Sequence, residues 1–185
     1  MHTTPPSRRT FIVTATAAGI AAASTSACQK ASASDRQLVF ASFSDALREL
    51  DRLGKAAALA TTAHWSWPQT LTHCAQSIEF SLTGFPSPKS ALFQNTAGAV
   101  AFQVFTWRGR MSHDLAEPIP GAPPLDTSND PALAMARLQK SIADFRKHNE
   151  PLHPHFAYGA LNKPSYERAH AMHLANHLSG FDIKA

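Results

Sequence analysis

This chain is short of cysteine, of charge and of strand-like alternation, and each shortage removes a class of protein. Its 185 residues include two cysteines, Cys28 and Cys74, and no Cys-x-x-Cys pair, so a dithiol redox motif is absent. Charged residues are 16% of the whole and gather into no basic face of the kind nucleic acid needs. No Gly-rich phosphate loop and no Ser/His/Asp order occurs, which excludes the commoner nucleotide and hydrolase readings. No apolar run reaches the roughly 20 residues that cross a bilayer as a helix. No stretch keeps the period-two pattern of a half-buried strand for long, and the apolar run Gln37-Leu38-Val39-Phe40 is too isolated to build a sheet.

The first 33 residues are read apart from the rest. Ser7-Arg8-Arg9-Thr10-Phe11-Ile12 is followed by an apolar, Ala-rich run to about Ala23 and then by small residues. A basic start, an apolar middle and a small-residue exit make a secretory signal. The paired arginines before Phe-Ile resemble the twin-arginine export signal. That resemblance implies the twin-arginine translocase as an export partner and a periplasmic or extracytoplasmic location. Ala31-Ser32-Ala33 fits the small-x-small rule, so cleavage is expected after Ala33. Lipid anchoring at Cys28 is the weaker alternative, because Thr25-Ser26-Ala27 lacks the leucine usual three residues before such a cysteine.

Removing residues 1–33 takes away three of 17 basic residues and none of 13 acids, so the charge becomes 14 − 13 = +1. Cys74 is then the lone cysteine, and no internal disulfide is possible despite an oxidising destination. Residues 34–185 suffice for one domain with a core of its own.

What remains is rich in helix signals. Leu47, Leu50, Leu53 and Ala57 give segment 40–61 a helical stripe. Segment 66–83 opens with Ser66 and Pro68, stops at Gly84, and carries Leu71, Cys74, Ala75, Ile78 and Leu82 on its apolar side. Glu79 is its one charge, which predicts burial on more than one side. A third helix runs to about Trp107 with an awkward Gly98. Residues 108–130, with Pro118, Pro120, Pro123 and Pro124, form a long irregular connection. Asp130-Pro131 starts a helix to about His148, and a last helix spans about 164 to 179. Four principal helices and one long connection predict an all-α four-helix bundle, with that connection before the third core helix.

Histidine is abundant: ten in all, three of them in "HAMHLANHL" at 170–178. At about 100° per residue, His173 and His177 share one helix face one turn apart, where two imidazoles can grip one ion. His170 lies roughly 10 Å from His177 along the axis, too far to share that ion. A third ligand must come from elsewhere. His73 is the best candidate, being mid-helix in a low-charge segment and sharing a face with Gln69, Gln76, Ser77 and Phe80. His113 and His148 sit in or beside loops, His153 and His155 in a Pro-rich loop, and His64 ahead of the second helix. Cys74 reads as core, and Trp65 and Trp67 as anchors of the helix start. Glu167 and Asp182 are acid–base candidates by nearness in sequence alone.

The order Trp67…Leu71-Thr72-His73-Cys74, then a far C-terminal His173-x-x-x-His177, resembles the DinB/YfiT-like superfamily. Those proteins are four-helix bundles in which one second-helix and two last-helix histidines bind a divalent metal. The blocks "WRGRMSHDLAEPIPGAPP" and "HPHFAYGALNKPSYERAHAMHLANHLSGF" resemble a branch of uncharacterised bacterial domains. The resemblance covers about residues 38–182. It implies a metal site of His73, His173 and His177, for which zinc or nickel suits imidazole. It also implies transferase or hydrolase chemistry on a small-molecule substrate, since such an ion activates water or a thiol. A non-catalytic exported bundle that binds a metal or small ligand is the alternative. A homodimer is left open.

Overall fold

The computed structural model describes residues 35–126 and 130–184. The export signal, the cleavage point after Ala33 and Cys28 lie outside the described residues.

Local sequence explains most helix boundaries. Helix α1 (Phe43–Gly54) starts where the Asp45 carboxylate accepts the backbone N–H groups of Ala41 and Ser42, at 2.8 and 3.0 Å. Helix α2 (Trp67–Thr83) begins at a reciprocal cap, in which Ser66 Oγ accepts from Gln69 N and Gln69 Oε1 accepts from Ser66 N. Helix α5 (Pro131–Lys147) is capped by Asp130, and α6 (Lys163–Leu178) by Asn162, whose side chain accepts from Ser165 N at 2.9 Å. Between α2 and α5, α3 (Ala91–Phe93) runs through a π-helical segment (Gln94–Gly98) into α4 (Ala99–Arg108). The awkward glycine now has a reason: a Cβ on Gly98 would lie 1.9 Å from the Ala157 carbonyl oxygen.

Two expectations need correcting. The first helix stops at Gly54 rather than reaching 61, and the chain does build a small sheet. Strand β1 (Leu59–Thr61) pairs antiparallel with β2 (Phe181–Ile183), Leu59 opposite Ile183 and Thr61 opposite Phe181. Ala56, Ala57 and Ala58 are good helix formers, yet pairing with a segment over 100 residues away overrides local preference. Phe181 is fully buried and meets Trp67 edge-on at 5.0 Å, which fixes that pairing.

The remaining expectation holds: the fold is all-α apart from this two-stranded ribbon. Helices α1, α2, α5 and α6 form the bundle. Helix α2 packs against α5 and α6, and α1 against the same two, so the cyclic order is α1–α5–α2–α6. Phe43, Leu50, Leu71, Ile78, Leu138, Ile142, Phe145 and Leu174 meet in the centre with 0–1% exposure. Each such side chain contributes about 1.5–3 kcal/mol of hydrophobic burial. The middle of α2 is buried all round, from Thr70 to Ile78, as its lack of charge predicts. Its polar face is covered by the long connection: Gln76 donates to the Pro123 carbonyl at 3.1 Å and Gln69 to that of Leu125 at 3.4 Å.

Candidate metal centre

Because α2 and α6 are neighbours in the bundle, His73 faces the α6 pair. The rings of His173 and His177 stand 4.6 Å apart at 90°, and that of His73 lies 5.0 Å from the first and 4.7 Å from the second. His73 Nε2 and His173 Nε2 approach to 3.1 Å. One ligand nitrogen from each of the three lies within 4.8 Å of the others, close enough for one ion to bridge them. The structure therefore brings together the three histidines singled out by spacing and resemblance. The mixed face of α2 that holds His73 is a polar cleft beneath the long connection.

Burial and mutual repulsion keep these imidazoles neutral. His73 and His177 are each 2% exposed. Burial first, and the nearby His113 second, pull His73 down to about 3. Burial lowers His173 well below its ordinary value, helped by repulsion from His177, His73, His113 and His170. His177 is lowered in the same way by burial, then by His73 and His113. A metal needs the unprotonated ring, so the lone pairs stand ready across the physiological range.

The donor set fits a divalent ion such as zinc or nickel. Three neutral imidazoles without a carboxylate suit both metals. His73 Nδ1 and His177 Nε2 are shielded from water and have no hydrogen-bond partner in the protein. An unpaired buried polar atom costs about 1–3 kcal/mol, so His177 gains from an ion ligated at Nε2, whereas His73 would offer an ion Nε2, the nitrogen that approaches His173.

Aromatic and loop residues complete the surroundings. Trp65 stacks on His177 at 5.7 Å and 9°, and meets His73 at 4.6 Å. It walls the cluster rather than simply anchoring the helix start, a role that falls to Trp67 against Phe181. From the long connection, His113 sets its ring 5.2 Å from His173 and 5.0 Å from His177. A cavity of about 200 Å³ opens beside His73 and His173. Met111, Ile119, Phe156 and Tyr158 give it apolar walls, and Lys89 and Glu117 bring the charged groups.

The other candidates fall outside the cluster. His170 lines the same cavity, stacked between Phe43 at 6.0 Å and Tyr166 at 5.4 Å, with its Nδ1 3.5 Å from Ser77 Oγ. His155 also lines it, and its Nδ1 accepts the backbone N–H groups of Ala157 and Tyr158. His153 turns instead toward Gly84 and lines a separate cleft, and His64 is exposed. The His148 carbonyl accepts from Lys163. Cys74 is buried and its thiol is pushed far up by burial, which makes it inert core. Glu167 accepts the Phe43 N–H at the start of α1, and Asp182 pairs with Arg52 at 2.8 Å, so both are committed to structure.

His113 is the residue that sequence reading set aside. A histidine in a Pro-rich connection has no periodicity to place it. Its signal was composition alone, a His-Asp pair in the segment that also has to cover the polar face of α2.

A family model described as Protein of unknown function (DUF1569) matches residues 32–184, and the chain belongs to that family. No curated protein and no solved structure matches the chain.

Proposed function

We propose that this DUF1569 domain is an exported metal-dependent enzyme, a hydrolase or group transferase acting on a small molecule. One observation carries the reading: three neutral histidines converge beside a cavity of about 200 Å³ with mainly apolar walls, and two of them, His73 and His173, line it. His73, His173 and His177 would hold the ion. A divalent ion there supplies Lewis-acid activation of water or of a substrate heteroatom.

The protein's own residues do the rest. Helices α2 and α6 fix the three rings rigidly, and Trp65 closes one side against bulk water. The cavity is smaller than the roughly 300–1,000 Å³ of drug-sized ligand sites, so it selects a compact substrate with an apolar body. Lys89 and Glu117 offer one charge of each sign to a polar substituent. The DinB/YfiT-like arrangement of the ligands and the twin-arginine-like start of the chain support the same reading, with activity outside the cytoplasmic membrane.

A bundle that binds metal or ligand without turnover is the second reading. It is favoured by the structural use of Glu167 on the last helix and Asp182 on the strand after it, which leaves neither carboxylate free to act as a base. Turnover decides between them. Metal-loaded protein is screened against ester, amide and thiol-transfer substrates with His73→Ala as the blank. A rate above that blank supports the enzyme, and none on any substrate transfers the conclusion to the binding reading.

A further inference from the structure

We propose that His113, carried by the connection between α4 and α5, is a fourth ligand to the ion of the three-histidine site. The inference rests on that site and adds to it a residue from outside the bundle core.

The tautomer of His113 is fixed by its neighbour. Nδ1 lies 2.8 Å from the backbone carbonyl oxygen of Asp114, which can only accept, so Nδ1 carries the proton. In the neutral ring the lone pair is then on Nε2. This is the arrangement that orients ligating histidines generally: one nitrogen donates to a backbone carbonyl and the other faces the metal. His113 Nε2 is shielded from water and has no partner in the protein, as is His177 Nε2. The ring stands 5.0–5.2 Å from those of His173 and His177, at the edge of a cluster whose three ligand rings are 4.6–5.0 Å from one another. The residue is half-buried on a connection whose next turns, around Glu117 to Pro120, form a wall of the cavity.

The connection is tied down well enough to hold such a ligand. Gln69 and Gln76 of α2 bond to its far part, and Met111 and Ile119 bury their side chains on either side of His113. The same geometry makes His113 the ligand most readily replaced, since the other three come from helices. Its place beside the cavity puts that replaceable position where a small molecule would arrive.

The test is a cobalt titration of metal-free, untagged protein, followed by visible absorption and by competition with a chelator. Wild type is compared with His113→Ala, His113→Gln and His177→Ala. His113→Ala should still take one cobalt per chain, at least about tenfold more weakly and with an altered visible band. Added free imidazole should restore the band, because it fills the position the side chain vacates. Unchanged affinity and band in both His113 variants, with binding abolished in His177→Ala, would overturn the proposal and leave the three-histidine site standing. An altered band that imidazole does not restore would also overturn it, assigning the change to displacement of the connection. Unchanged binding in His177→Ala would remove the three-histidine site itself, and this proposal with it.

Discussion

Acidifying the metal-free protein should unfold it well above the range in which carboxylates titrate. His73, His155 and His170 are held down to about 3 in the folded chain, and His173 and His177 well below their ordinary value, in each case first by burial. In the unfolded chain all five titrate near 6.5. Below that value the unfolded state takes up protons that the native state refuses. Stability is therefore complete above about pH 6.5 and is lost as the pH falls toward about 3. At pH 5.5 each histidine costs about 1.4 kcal/mol, and the five together roughly 7 kcal/mol. A domain of this size holds only about 5–15 kcal/mol in total. The carboxylates Asp45, Glu49 and Asp182 are lowered in the folded chain, so their contribution is lost only at still lower pH. Urea midpoints followed by circular dichroism in chelator, from about pH 7.5 to about pH 5.5, measure the slope. The uptake should approach five protons on unfolding near pH 5. A flat midpoint over this range, or an uptake of one proton or fewer, would refute the assignment of these histidines as buried and neutral.

Other consequences are as direct. Binding of paramagnetic nickel or copper should quench tryptophan fluorescence through Trp65, which stacks on His177 and meets His73. Trp65→Phe should abolish most of that quench, whereas replacing Trp107, 86% exposed on α4, should leave it intact. Gly98→Ala forces a Cβ toward the Ala157 carbonyl and should lower stability by about 1–3 kcal/mol, read from the thermal midpoint. Glu167→Ala removes the acceptor for the Phe43 N–H and should cost about 1 kcal/mol while metal content stays unchanged; loss of metal would mean that Glu167 serves the site as well as the fold.

Much of this was legible in the residues. Ser66, Pro68 and Gly84 bracket α2, and Asp130-Pro131 opens α5, because caps and proline act within a turn of their own position. The spacing of His173 and His177 fixes their shared face by helix geometry alone. What was not legible is what distant chain supplies. The three-residue strands have no pattern long enough to read, and they exist because Phe181 is buried against Trp67. The placing of His113 follows from how a connection rich in proline settles over α2, and no periodicity reports that. Gly98 looked like a weakness in a helix until the Ala157 carbonyl appeared beside it.

The central claim is that His73, His173 and His177 hold one divalent ion. Elemental analysis of untagged protein, dialysed free of loose metal and then loaded with zinc or nickel, tests it most directly. One ion per chain is expected for the wild type, falling to near zero in His73→Ala and His177→Ala, both still helical by circular dichroism, and unchanged in the exposed-site control His64→Ala. Equal metal content in His177→Ala and wild type would contradict the account.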